Sequence, residues 1–179
     1  MTAYEYRCAQ GSAVAKLAKS FGMRVVATRR TQVEPDPWVD EMLPMTELHH
    51  LLEQCDYVVC ALPATPETED VFGAEEFDAM RSSAVFISIG RGSNVDEAAL
   101  ADALSSRSIH AAAIDVTKEE PLPPTSPLWD FGGRVIISHH HANMSRMFGS
   151  HSAKLLARQL RRWRDGEPLE NVVNTSAGY

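Results

Sequence analysis

The segment from residue 84 to residue 104 constrains the fold more than any other part of this chain. An apolar run over 84–89 stops at Gly90-Arg91-Gly92, and the carboxylate of Asp96 then opens a helix of small residues over 97–104. A fully apolar strand followed by a helix belongs in a parallel sheet covered on both faces. Arg91 then stands at the strand's carboxyl end, the edge at which open α/β sheets bind ligands. Its planar, permanently charged fork suits a carboxylate.

The same alternation recurs along the chain. Ala13, Val14, Leu17, Ala18 and Phe21 make a helical stripe that Gly22 stops. Residues 25–27, 57–62, 110–114 and 135–137 read as strands, Thr46 as the cap of a helix over 47–54, and 145–164 as the longest helix. Residues 35–44 read as a loop carrying Trp38, Met42 and Leu43. The expected fold class is therefore α/β, a doubly wound, mostly parallel sheet, complete from its second strand onward; nothing in residues 2–7 marks a first strand. Asp115 and Glu120 follow one strand and His140 follows the next. Arginine, glutamate and histidine thus lie past three strand ends and are expected to converge.

Composition removes several function classes. With 17 Lys+Arg against 24 Asp+Glu the chain lacks the basic face that a nucleic-acid partner needs. No apolar run approaches bilayer length and no signal-peptide pattern opens the chain, so neither membrane nor export is expected. Three cysteines without framework spacing read as free thiols of a cytoplasmic protein. His139, His140 and His141 are consecutive at a strand end, so their side chains diverge and no metal site is expected.

Six segments, in order, resemble the D-isomer-specific 2-hydroxyacid dehydrogenases, from about Gly11 to Val173. They are Gly11 with Val14-Ala15-Lys16-Leu17-Ala18; Asp56 through Leu62-Pro63 to Thr68; Gly90-Arg91-Gly92 with Val95-Asp96-Glu97; Ala113-Ile114-Asp115-Val116; Glu120-Pro121-Leu122-Pro123; and the histidine after Ile137-Ser138-His139. The resemblance implies a Rossmann-like domain that transfers a hydride between NAD(P)H and a small 2-oxo or 2-hydroxy acid, in a homodimer. By position Arg91 matches the substrate-carboxylate clamp, Glu120 the glutamate partner and His140 the acid/base. Leu62, Pro63 and Thr68 match the loop over the adenosine, Ile89 and Gly90 the strand end beside the cofactor, and Asp115 the group facing the nicotinamide carboxamide. The whole chain, 1–179, reads as a single dinucleotide-binding domain, and its segment 145–179 matches the part that in the family returns toward a substrate domain. That N-terminal substrate domain has no counterpart here, so weak turnover is expected of this chain by itself.

Two departures bear on the cofactor. Of the Gly-x-Gly-x-x-Gly fingerprint only Gly11 is present; Tyr6 and Cys8 stand at the other two positions, where backbone must approach the pyrophosphate. Past the second strand, Thr28-Arg29-Arg30-Thr31 replaces the acidic residue that receives a ribose 2′-hydroxyl. Two guanidiniums and a hydroxyl suit a 2′-phosphate, which favours NADP over NAD. Around the histidine, His139 stands where the family has proline and Asn143 where it has glycine. Three readings follow: an oxidoreductase, a non-catalytic dinucleotide-binding or corepressor-like module, and a truncated form that needs another chain.

Overall fold

Parallel backbone pairing organises the chain. The computed structural model describes residues 2–5, 9–29, 37–142, 144–145, 147–173 and 175. In chain order the elements are β1 (Thr2–Glu5), α1 (Ala9–Ser20), β2 (Val25–Arg29), β3 (Glu41–Pro44), α2 (Leu48–Leu52), β4 (Tyr57–Cys60), α3 (Ala74–Ala79), β5 (Val85–Ser88), α4 (Glu97–Ser106), β6 (Ala111–Ile114), β7 (Val135–Ile137) and α5 (Phe148–Arg164). The strands form one sheet in the order β3-β2-β1-β4-β5-β6-β7, every pair parallel. The order reverses between β1 and β4, which opens a crevice at the carboxyl ends of those strands. The doubly wound α/β sheet expected from the sequence is present.

The first strand is present too, which corrects the expectation that it is missing. β1 pairs with β2 from Thr2↔Val25 to Glu5↔Thr28, and with β4 at Thr2↔Tyr57 and Ala3↔Val58. Flanking strands on both sides offer rows of backbone donors and acceptors that require partners. An extended segment satisfies them whatever its side-chain pattern.

Two further expectations change. Residues 41–44 are not loop but the edge strand β3, where Pro44 at the strand end removes no needed ladder bond. Thr46 does not cap α2: it lies inside a 3₁₀ turn over Met45–Glu47, and α2 begins after Glu47 with no side-chain cap. Asp96 does cap α4, accepting from Ala98 N at 2.9 Å and Ala99 N at 3.1 Å, an arrangement worth about 1 kcal/mol. Gly22, at φ 74°, ends α1 as read from the sequence.

Strand alternation divides the core between two faces. On one, Val26, Val58 and Phe86 pack with Leu51, Leu52, Phe77, Leu100 and Leu104 of α2, α3 and α4. Phe86 lies edge-on to Phe77, ring centroids 5.2 Å apart, and 4.9 Å from Phe72. On the other, Val25 and Val59 meet Ala15 and Ala18 of α1. The chain divides into two compact units, Met1–His140 and His141–Tyr179. In the second, the tail returns along α5, with Arg158 Nε donating to Glu170 Oε2 at 2.7 Å. Among the described residues no helix is long and apolar enough to cross a membrane.

Candidate active site

The first unit carries the site on the adjoining ends of β5, β6 and β7. Past β6, Asp115 is buried, donates its main-chain N–H to Ser88 O at 2.9 Å and accepts from the Ser138 hydroxyl at 2.6 Å. Its carbonyl accepts the main-chain N–H of His140 at 2.7 Å. That bond holds His140 at φ 56°, a left-handed conformation uncommon outside glycine. The loop after β6 then turns Glu120 toward the imidazole. Nδ1 of His140 donates to Glu120 Oε2 at 3.0 Å, and Oε1 accepts the Thr117 N–H at 3.2 Å. The hydrogen bond from His140, the one from Thr117 and the imidazole's charge together hold the Glu120 carboxyl below the usual glutamate range. With Nδ1 committed, Nε2 is the ring nitrogen left to exchange a proton with a ligand. The pair opens on a cavity of about 440 Å³ walled also by Pro121, Leu122, Trp129 and Ser138.

Arg91 follows β5, the neighbour of β6. Its side chain is exposed and Nη1 donates to the carbonyl of Gly90 at 2.8 Å. Among the described residues no ion pair joins it to Glu120 or His140, so the structure brings two of the three expected residues into contact and sets the third on the adjoining strand end. The turn that carries it is pressed against its neighbours on both sides. A Cβ on Gly90 would lie 2.7 Å from Leu62 O, and one on Gly92 would lie 2.0 Å from Thr117 O. Glycine is required at both positions by close backbone approach, not by backbone angle.

The residue that sequence reasoning missed is Asn94. It is completely buried, accepts the Arg91 N–H through Oδ1 at 2.8 Å, and donates through Nδ2 to the carbonyls of Pro63 and Thr68, each at 3.1 Å. The available signal was a short amide side chain on the residue third after Arg91 in a tight turn, where it reaches back to the turn's opening amide.

The expected cofactor side lies around the β1/β4 crevice. Leu62 is buried, and Pro63 O accepts the Thr68 hydroxyl at 2.6 Å, which knots that loop. Ile89 continues β5 by donating to Cys60 O at 2.9 Å. Gly11 is buried in the first turn of α1. Thr28, 4% exposed, has a hydroxyl without a hydrogen-bond partner among the described residues and lines an apolar cavity with Met45, Cys60 and Leu62. An orphaned buried hydroxyl beside the crevice fits a polar ligand that completes it. The side chain of Arg29, together with Arg30, Tyr6 and Cys8, lies outside the described residues. Among the described residues no group of three or more His, Cys, Asp or Glu is arranged around a metal position.

Comparison with known proteins places the fold in a family. Residues 8–142 match the family model for the D-isomer specific 2-hydroxyacid dehydrogenase NAD binding domain. A glyoxylate reductase of Korarchaeum cryptofilum is 36% identical over 167 residues, 92% of this chain and 49% of that protein. A D-isomer specific 2-hydroxyacid dehydrogenase from Xanthobacter autotrophicus, solved with NADPH, superposes with a TM-score of 0.90 at 33% identity, covering 99% of this chain and 72% of that one. An NADPH-dependent glyoxylate/hydroxypyruvate reductase from Sinorhizobium meliloti, solved with NADP and sulfate, gives a TM-score of 0.90 at 30% identity, covering 99% and 56%. The chain spans about half the length of the curated relatives it matches. By its sheet order, its strand-end motifs and these matches, the chain belongs to the D-isomer specific 2-hydroxyacid dehydrogenase family and carries its nicotinamide-dinucleotide-binding fold.

Proposed function

We propose that this chain takes part in hydride transfer between a nicotinamide dinucleotide, NADPH before NADH, and a small 2-oxo acid of the glyoxylate or hydroxypyruvate type. The observation that carries the reading is the Glu120–His140 pair at the edge of the sheet where Arg91 also stands. The dinucleotide supplies the hydride, and the protein binds, orients and moves one proton. Arg91 receives the substrate carboxylate in its guanidinium fork after releasing Gly90 O. His140 gives the proton on Nε2 to the oxygen of the reduced carbonyl, while Glu120 holds Nδ1 and so fixes the ring. Leu62, Pro63, Thr68, Ile89, Gly90 and Thr28 border the nucleotide, with Gly11 at the start of α1. Asp115 holds the carboxamide end. Arg29 and Arg30 are the candidates for the 2′-phosphate.

A homodimer in the cytoplasm completes the reading. Phe21 and Ile136, 81% and 68% exposed, are apolar surface that a partner would cover. The alternative is a module that binds nucleotide without turnover, favoured by a guanidinium engaged with its own backbone.

Nucleotide titration followed by NADPH oxidation with glyoxylate and hydroxypyruvate tests both. Turnover that falls about 10²–10⁴-fold in His140→Gln supports the enzyme. Binding without turnover leaves the module. Failure to bind either nucleotide sinks both readings.

A further inference from the structure

Asn94 spends its hydrogen-bonding capacity on two segments that are far apart in the chain. One is the main chain of Arg91; the other is the loop between Pro63 and Thr68. We propose that Asn94 is a positioning residue that clamps the backbone of Arg91 to this loop, so that the guanidinium and the cofactor-side loop are set as one body. The inference rests on the reading of Arg91 as carboxylate clamp and of Pro63 and Thr68 as nucleotide-side residues.

The turn does not need this side chain in order to form. Main-chain bonds already join the two segments: Asp70 N to Ser93 O at 2.8 Å, Phe72 N to Asn94 O at 3.0 Å and Asp96 N to Phe72 O at 3.0 Å. Asn94 N donates to Arg91 O at 3.0 Å, and Lys118 pairs with Asp70 at 2.5 Å. The amide of Asn94 adds a grip on three specific atoms, the Arg91 N–H and the two carbonyls. An apolar residue of similar size would fill the same space, strip the Arg91 N–H and the Thr68 carbonyl of the Asn94 partner, and leave Pro63 O only the Thr68 hydroxyl. A buried amide is tolerated only where its partners are satisfied, and here both of its donor hydrogens and its oxygen are used.

Residue-resolved amide hydrogen exchange on the free chain tests the clamp, with Asn94→Ala and Asn94→Asp beside the parent. In Asn94→Ala the Arg91 amide should exchange about tenfold faster or more, as expected for a lost buried hydrogen bond. Amides inside β5 and β6 should keep their parental rates. Asn94→Asp keeps the acceptor and loses both donors. Arg91 should therefore stay protected while Thr65 and Thr68 exchange faster. The functional arm uses oxamate, a 2-oxo acid analogue, at saturating NADPH: its affinity should fall about tenfold in Asn94→Ala. A parent chain that takes up no oxamate would refute Arg91 as the clamp, and the exchange pattern would still decide on Asn94. Unchanged Arg91 exchange in Asn94→Ala, loss of protection throughout β5 and β6, or an aspartate variant that frees Arg91 as alanine does would overturn the proposal.

Discussion

The Nδ1 of His140 lies 3.0 Å from Oε2 of Glu120, and each residue is anchored by a second bond that does not involve the other. The histidine main chain hangs from Asp115 O at 2.7 Å, and the other glutamate oxygen receives Thr117 N–H at 3.2 Å. Both anchors belong to the segment that leaves β6. The pair is thus set by one strand end and its loop, and the ring lines the cavity with no partner on Nε2 among the described residues.

This arrangement gives stability a pH dependence of definite sign. Folding lowers the pKa of Glu120, first through the bond from His140 and then through Thr117. Such a group stabilises the fold fully above its unfolded pKa and loses that contribution as pH falls through the folded value. The Glu120 and His140 side chains are each 42% exposed, so solvent screening keeps the effect small. Glu120→Gln should be less stable than the parent at neutral pH, and the two should converge in the acid range. Urea unfolding at stepped pH measures this, and a gap that widens toward acid would contradict it.

Gly92 locks the arginine turn to the loop after β6. A Cβ there would stand 2.0 Å from Thr117 O and 2.5 Å from Lys118 N, both main-chain atoms that no rotamer change can move. Gly92→Ala should cost about 3 kcal/mol or more, at the upper end for overpacking. A drop of roughly 6–12 °C in Tm corresponds to that loss in a chain of this size. Gly133→Ala, which meets nothing within 4 Å, is the control and should leave Tm nearly unchanged. Equal Tm values for the two variants would refute the lock.

Much of this was legible in the sequence because each strand announces itself in apolar runs and each strand end in a change of chemistry. Residues 84–104 gave strand, turn, cap and helix in the right order, down to the Asp96 cap. Glu120 and His140 were readable because both follow strand ends. β1 was not readable, since its place is decided by the backbone vacancy between β2 and β4 and not by side-chain periodicity. β3 was hidden for a related reason: a four-residue edge strand ending in Pro44 has too little pattern to distinguish it from loop. The resting direction of Arg91 toward Gly90 O is a matter of side-chain torsions, which no motif encodes.

The proposed preference for NADPH is assigned to Arg29 and Arg30, which follow one another at the end of β2 in the sequence. Two guanidiniums would reward a 2′-phosphate with charge-assisted hydrogen bonds. Replacing Arg29 with Asp and Arg30 with Ser together should weaken NADPH binding by about 10–100-fold. The same change gives the ribose 2′-hydroxyl a carboxylate acceptor, so NADH should gain. Fluorescence titration of both nucleotides against parent and double variant reads the reversal. A parent chain with equal affinity for the two nucleotides would remove the basis for it.

Thr28 offers a test that separates fold from ligand within one substitution. Its hydroxyl is buried with no hydrogen-bond partner among the described residues, a state that costs folding free energy in the absence of ligand. Valine keeps the β-branched shape that suits β2 and removes the orphaned oxygen. Thr28→Val should therefore raise the stability of the free protein, by about 1–2 kcal/mol if the full penalty is recovered. If the hydroxyl is held in reserve for the nucleotide, the same variant should bind NADPH about tenfold more weakly, having lost one buried hydrogen bond. Thermal unfolding with and without NADPH reads both effects, because ligand binding raises Tm with the logarithm of ligand concentration over Kd. Higher Tm without ligand together with a smaller NADPH-induced rise is the expected signature. A variant stabilised by NADPH as much as the parent would show that Thr28 faces the crevice without serving it.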